Sequence, residues 1–130
     1  MTMHADRSAR LLMCRPEHFA VSYAINPWMD PERWAHDQRA HRAAVRQWEA
    51  LHRKLKELGA TIELVPPVPG LPDLVYTANA AVVLDRQVLL ARFRHPERQG
   101  EEPHFEAAFR ALPRHGRACR APSSAGPSRD

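Results

Sequence analysis

The stretch 31–58 constrains this chain most, because it carries a long helical pattern with its own start and stop signals. Asp30 is placed to cap it, Pro31 suits the first turn, and Gly59 stands where a C-terminal cap belongs. Ala44, Val45, Trp48, Leu51, Leu55 and Leu58 recur at three and four residues and line one face. Arg39, Arg42, Arg46, Glu49, Arg53, Lys54 and Lys56 mark the solvated side. Short apolar runs flank the helix. Leu11–Cys14 suits a buried strand closed by Arg15-Pro16, and Thr61–Val65 alternates like a strand with one wet face. A stiff connector, Pro66 to Gly70, leads to Ala80–Leu84 and Val88–Arg92, two strands joined by a tight turn at Asp85-Arg86-Gln87. Both runs are nearly all apolar, so at least one strand is expected to be central. A second helix, about 101–112, carries Phe105, Ala108, Phe109 and Leu112 on one side. The order β-α-β, hairpin, α predicts an α/β fold of short mixed sheets with packed helices.

Residues 11–112 are expected to form one domain between disordered ends, 1–10 and 113–130. The last eighteen residues contain no Val, Ile, Leu, Met, Phe, Tyr or Trp and cannot cover a core. So abrupt a change favours an out-of-frame ending over a natural linker. That tail sets four arginines against the single Asp130, which accounts for three of the four net positive charges. A nearly neutral body with a basic tail is a poor nucleic-acid footprint. Cys14 and Cys119 lie far apart without metal-ligand spacing, and the eight histidines show no HExxH pattern, so no metal is expected. Residues 1–10 lack a signal-peptide core, and no apolar run approaches the roughly 18 residues of a membrane span. A cytoplasmic setting is expected.

Several residues carry the chemical question. Asp73 follows Pro72 and either makes an Asx turn or faces a ligand. Asn79 stands at the junction of two apolar runs, where its amide either pins the backbone or meets a ligand. Asn26 precedes Pro27 and is expected to project from an extended turn. Arg94 and Arg98 sit in a loop stiffened by Pro96, where a guanidinium fork either captures a carboxylate or is simply solvated. Glu101 and Glu102 read as first-turn acids meeting a helix dipole. Trp28, Trp34 and Trp48 read as core volume, Cys14 as an inert buried thiol, and His41 and His52 as residues at the core border.

Four blocks in order carry a family resemblance: Met13-Cys14-Arg15-Pro16, Ile25-Asn26-Pro27-Trp28-Met29, Pro72 to Ala80, and Arg92 to Glu102. Over about residues 9–112 the chain resembles the pentein superfamily of dimethylarginine dimethylaminohydrolases, arginine deiminases and amidinotransferases, most of all its arginine dihydrolase branch. The resemblance implies a five-bladed α/β propeller around a narrow funnel, of which this chain would supply the first blades. It implies a cofactor-free hydrolase that cleaves C–N bonds of arginine or methylated arginine. In such enzymes a cysteine attacks the guanidinium carbon, a histidine moves protons and acidic side chains hold the cation. Carried onto this sequence, Asn26, Asp73 and Asn79 would contact the substrate and Arg98 would grip its α-carboxylate. Many relatives place an aspartate where Asn79 stands; in the dihydrolase branch the asparagine goes with ornithine rather than citrulline as product. The family's catalytic histidine and cysteine lie well beyond position 112, so the chain alone is expected to be catalytically silent, with no catalytic residue assigned. Cys119 stands too early and in the wrong context to be the nucleophile. The alternatives are an amidinotransferase and a non-catalytic module that self-associates through its apolar helix face and open sheet.

Overall fold

The computed structural model of the chain describes residues 9–112 and 118–120, the last three by their backbone alone. Strand β1 (Arg10–Cys14) pairs in parallel with β2 (Thr61–Val65), from Arg10 opposite Thr61 to Cys14 opposite Val65. Arg10, expected within the disordered start, thus opens a strand, and its guanidinium lies 3.8 Å from Glu63. The crossover between the two strands holds the helical region, which is two helices rather than one: α1 (Pro31–His36) and α2 (Ala40–Glu57). Asp37 makes the break. Its carboxylate accepts from the backbone N–H groups of Arg39 (3.0 Å) and Ala40 (3.2 Å), offering that turn an alternative to the helical ladder. Both predicted ends are observed. Asp30 accepts from the Arg33 N–H at 3.0 Å, and Gly59 takes φ 92° after α2. Around it the Ala60 N–H reaches Leu55 O and the Gly59 N–H reaches Lys56 O, a Schellman closure that favours glycine.

The predicted face of α2 is only half-covered. Ala44, Val45, Trp48 and Leu55 are partly buried, whereas Leu51 and Leu58 are exposed. Trp48 stacks on His52 and lies under the Arg15 guanidinium, and His41 bonds Pro16 O at 3.1 Å. Trp34 meets Phe19 edge-on. Trp28, expected in the core, is 87% exposed, because the turn that carries it holds it clear of the core.

The hairpin follows as β3 (Ala81–Leu84) and β4 (Gln87–Leu90), antiparallel, with Leu84 opposite Gln87. Gln87 belongs to the strand, and Asp85 (φ 48°) and Arg86 (φ 65°) alone form the turn. Two successive residues at positive φ match the right-handed twist of a hairpin. β4 is central: on its other side it pairs in parallel with β5 (Ala118–Arg120). Those three residues of the expected tail therefore run as strand, and its remainder lies outside the described residues. Short α3 (Pro96–Gln99) and longer α4 (Glu102–Ala111) complete the order, and α4 packs against β2 and β4. Phe105 and Phe109 from α4 join Cys14, Val65, Leu74, Ala80, Val88 and Leu90 in one core. Removing either ring would cost about 3–5 kcal/mol. The mixed α/β class is as expected; the described residues form two short sheets and no closed ring of sheets.

Candidate functional site

Two tight turns and one short helix place the polar residues singled out above. Pro72 starts a 3-10 turn over Pro72–Val75 that buries Asp73 and Leu74. A second turn, Thr77–Asn79, is tied to β1 by the Thr77 hydroxyl, which donates to Leu12 O at 2.6 Å, so Asn79 sits just before β3. Pro96 opens α3, whose single turn directs Arg98 inward to 8% exposure. Arg98 is therefore no solvated surface arginine.

Its guanidinium is held from several sides. Nε and Nη2 donate to the two carboxylate oxygens of Glu101 at 2.9 and 2.8 Å. Nη2 also donates to Asp73 O at 3.2 Å, and Nη1 donates to Asn79 Oδ1 at 2.9 Å. The Phe93 ring lies 4.4 Å away, a distance suited to cation–π attraction. Burial opposes the charge on Arg98, but Glu101 outweighs it and its pKa is raised. Burial also pushes the Glu101 carboxyl upward, against the pull of Arg98. Such a bidentate pair, fully enclosed at the carboxylate, is rigid. Of the five N–H donors on Arg98 one, on Nη1, has no partner among the described residues.

Asp73 is 4% exposed, and its Oδ2 accepts the Tyr23 hydroxyl at 2.5 Å; it makes no Asx turn. Burial, and then that bond, hold the Tyr23 phenol well above its usual range, so it stays a donor. Asn26 projects from its turn as expected, with Oδ1 accepting from the N–H groups of Trp28 (3.0 Å) and Met29 (3.2 Å). Asn26, Asp73, Asn79 and Arg98 all line one cavity of about 260 Å³, walled by Phe19, Val21, Ile25, Met29 and Tyr76. The four residues named from the sequence are thus brought together. Among the described residues no cysteine or histidine lines this cavity. Cys14 is buried elsewhere, its thiol pushed up to about 11 by burial and by Glu17 and Glu101, which keeps it unreactive at neutral pH.

Arg94 remains on the surface and joins nothing here. Two members of the cluster went unread. Glu101 was signalled by its spacing, three residues after Arg98, which allows an i,i+3 pair. Tyr23 lies fifty residues from Asp73 and had no local signal. A larger groove of about 450 Å³ runs between β2 and α4, but its lining is mostly apolar, with only Glu63 and His104 charged or titratable. Among the described residues no three His, Cys, Asp or Glu side chains are placed to hold a metal ion, and no helix is long and apolar enough to cross a membrane.

No protein-family model matches the chain. Individual proteins do. It is 52% identical over 100 residues to the bifunctional arginine dihydrolase/ornithine cyclodeaminase ArgZ of Synechocystis sp., covering 77% of this chain and 14% of that protein. It is 46% identical over 95 residues to the N(G),N(G)-dimethylarginine dimethylaminohydrolase of Mycobacterium tuberculosis, covering 73% and 30%. Among solved structures, the N-terminal domain of the cyanobacterial arginine dihydrolase ArgZ, bound to product, superposes with a TM-score of 0.77 at 44% identity, covering 88% of this chain and 40% of that one. Fold and sequence together make this chain a homologue of the guanidine-modifying hydrolases of the pentein superfamily. Its relatives there are the arginine dihydrolases and the dimethylarginine dimethylaminohydrolases, and it spans well under half of each.

Proposed function

We propose that the cavity lined by Asn26, Asp73, Asn79 and Arg98 is part of the substrate site of a guanidino hydrolase of the dimethylargininase or arginine dihydrolase type. Its substrate would be arginine or a methylated arginine. One observation carries this reading: four polar residues from three separate segments converge on a single small cavity in a chain homologous to such enzymes. In this reading the free oxygen of Asp73 faces a cationic group of the substrate, and the last Nη1 donor of Arg98 faces its carboxylate. Cleavage of a guanidinium C–N bond through a covalent cysteine intermediate requires a thiolate and a proton-transferring histidine. Among the described residues neither type lines the cavity, and in this reading the chain alone binds substrate without turning it over. The test is to add L-arginine and asymmetric dimethylarginine to the isotope-labelled chain while assaying ammonia, citrulline and ornithine. Shifts confined to the cavity residues with product at background are expected. Absence of any arginine-dependent shift refutes the site, and robust turnover refutes the silence.

A second reading has its own observation. Val82, Leu84 and Leu89 share one face of the hairpin and are 66%, 70% and 45% exposed. In this reading the chain is a self-associating module that covers this patch. Light scattering separates the two: a monodisperse dimer supports the module, and a monomer that binds arginine removes it.

A further inference from the structure

Among the described residues strand β2 has β1 on one side and no strand on the other. The Thr61 N–H donates to Ala9 O at 2.8 Å, which sets the phase of the ladder. Residues 61, 63 and 65 bond to β1, whereas Ile62 and Leu64 turn their N–H and C=O groups away from it. This open edge is bounded at both ends: Ala60 spends its N–H on Leu55 O, and Pro66 has none. Both faces beside the edge are apolar. Val65 enters the core with Phe105 of α4, so strand alternation puts Glu63 on that face and Ile62 and Leu64 on the other. On the α4 side the edge borders the groove of about 450 Å³, floored by Ala107, Ala108 and Ala111 and closed by Pro66 and Leu112. Alanine at all three floor positions leaves room for side chains arriving from outside. On the opposite side Leu64 is 45% exposed, and α2 leaves Leu51 and Leu58 at 54% and 75%. An added strand would set its side chains alternately against both faces.

We infer that the outer edge of β2 receives an extended segment of another protein in antiparallel register, with apolar residues opposite Ile62 and Leu64 and a lysine or arginine opposite Glu63. An extended backbone is what satisfies the N–H and C=O groups of Ile62 and Leu64 together. The charge selects the segment. Among the described residues Glu63 is the one acid of the groove, and its side chain is 33% exposed. Arg10 stands 3.8 Å away, beyond hydrogen-bond reach, so the carboxylate can take a second cation. A second copy of this chain fits the edge badly. Two-fold pairing of Ile62 with Leu64 sets Glu63 against its own copy, in the kind of pair where side chains lie closest. A two-fold axis at Leu64 or at Ile62 instead sets an open residue against Pro66 or Ala60, whose N–H is missing or spent. Glu63 thus guards the edge against self-pairing, as inward-pointing charges on edge strands do. The groove shares no lining residue with the cavity of Asn26, Asp73, Asn79 and Arg98, so this inference stands apart from the substrate reading.

The experiment uses the full 130-residue chain, 15N-labelled. Its probe is the peptide acetyl-Val-Val-Lys-Val-Thr-amide, whose second residue falls opposite Leu64 and whose lysine falls opposite Glu63. At saturation the backbone amide signals of Ile62 and Leu64 are expected to shift and their hydrogen exchange to slow at least about tenfold. Methylating the backbone nitrogen of the second residue removes an N–H that faces β2 and is expected to abolish binding. Methylating that of the lysine, whose N–H faces away, is expected to leave it. Replacing the lysine by glutamate is expected to weaken binding at least about fivefold, and Glu63→Lys is expected to reverse that preference. Ala107 is exposed, so Ala107→Phe fills the groove without disturbing the core and is expected to weaken binding. Unmoved amides at Ile62 and Leu64, equal losses from the two methylated peptides, a charge preference that survives Glu63→Lys, or binding unchanged in Ala107→Phe each overturn the inference. So does slowed exchange at Ile62 and Leu64 that grows with protein concentration in the absence of peptide, because the occupant is then a second copy.

Discussion

Replacing Glu101 by Gln would remove one charge and almost no volume from the most enclosed polar contact of the chain. Glu101 has no exposed surface and Arg98 only 8%, and the two share bonds of 2.9 and 2.8 Å. In Glu101→Gln the side-chain oxygen still accepts one guanidinium N–H, while its NH2 opposes the other. Arg98 is then a buried cation without its counter-ion. Breaking such a pair costs about 3–5 kcal/mol. The bonds to Asn79 Oδ1 and Asp73 O, the Phe93 ring and the nearby Asp73 charge survive, which argues for the lower end, about 3 kcal/mol. That is a large share of the roughly 5–15 kcal/mol by which domains are stable. Removing both charges should cost less than removing one, because no orphaned ion remains: Arg98→Met with Glu101→Leu is expected to be more stable than Glu101→Gln alone. Urea unfolding at neutral pH, followed by circular dichroism, measures all three proteins. A loss below about 1 kcal/mol in Glu101→Gln, or a double variant worse than the single one, would refute the account of a clamped, buried cation.

Two further outcomes follow from the fold. The Cys14 thiol is raised from 9.0 to about 11 by burial, then by Glu17 and Glu101, so the unfolded chain loses this proton first as pH rises. Its contribution is whole below pH 9 and is lost towards about pH 11, with a ceiling of about 2–3 kcal/mol; Cys14→Ala should flatten the fall in stability across that window, and an unchanged slope argues against the burial. In the hairpin, Arg86 holds φ 65° without being glycine. Arg86→Gly should raise the urea midpoint by about 0.5–1 kcal/mol of stability, since relief of the left-handed strain exceeds the added freedom of the unfolded chain; a lowered midpoint contradicts the turn geometry.

What could be read from the sequence was what local physics writes into neighbouring residues. Asp30, Pro31 and Gly59 act through bonds to residues a few positions away, and the structure uses all three as expected. The same logic was available at Asp37 and was passed over for one continuous helix, although the apolar period that argued for the helix begins only at Ala44. Trp28 shows the opposite failure: its bulk argued for the core, whereas a side chain on a proline turn goes where the turn sends it. Asn26, Asp73, Asn79 and Arg98 were named, but the partners that set their chemistry were not. Tyr23 reaches Asp73 across fifty residues, and Glu101 was read as meeting a helix dipole when it meets a guanidinium.

Those partners change the charge that a ligand would meet. Arg98 alone would make the cavity attractive to anions, but Glu101 neutralises it through two of its nitrogens, leaving Asp73 as the net charge on the wall. Arginine as a free amino acid has two cationic groups and one carboxylate. In the proposed reading the remaining Nη1 donor of Arg98 suits the carboxylate, and Asp73 suits one of the cations. The second cation finds no carboxylate on this cavity among the described residues, since Glu101 lies enclosed behind Arg98 and is already paired. A single ion contact in a half-open cavity gives weak attraction, because water screens it. The affinity expected of this chain for arginine is therefore millimolar rather than micromolar. Micromolar binding would mean that both cationic ends are held, and that the group holding the second one belongs to a part of the site not accounted for by these four residues.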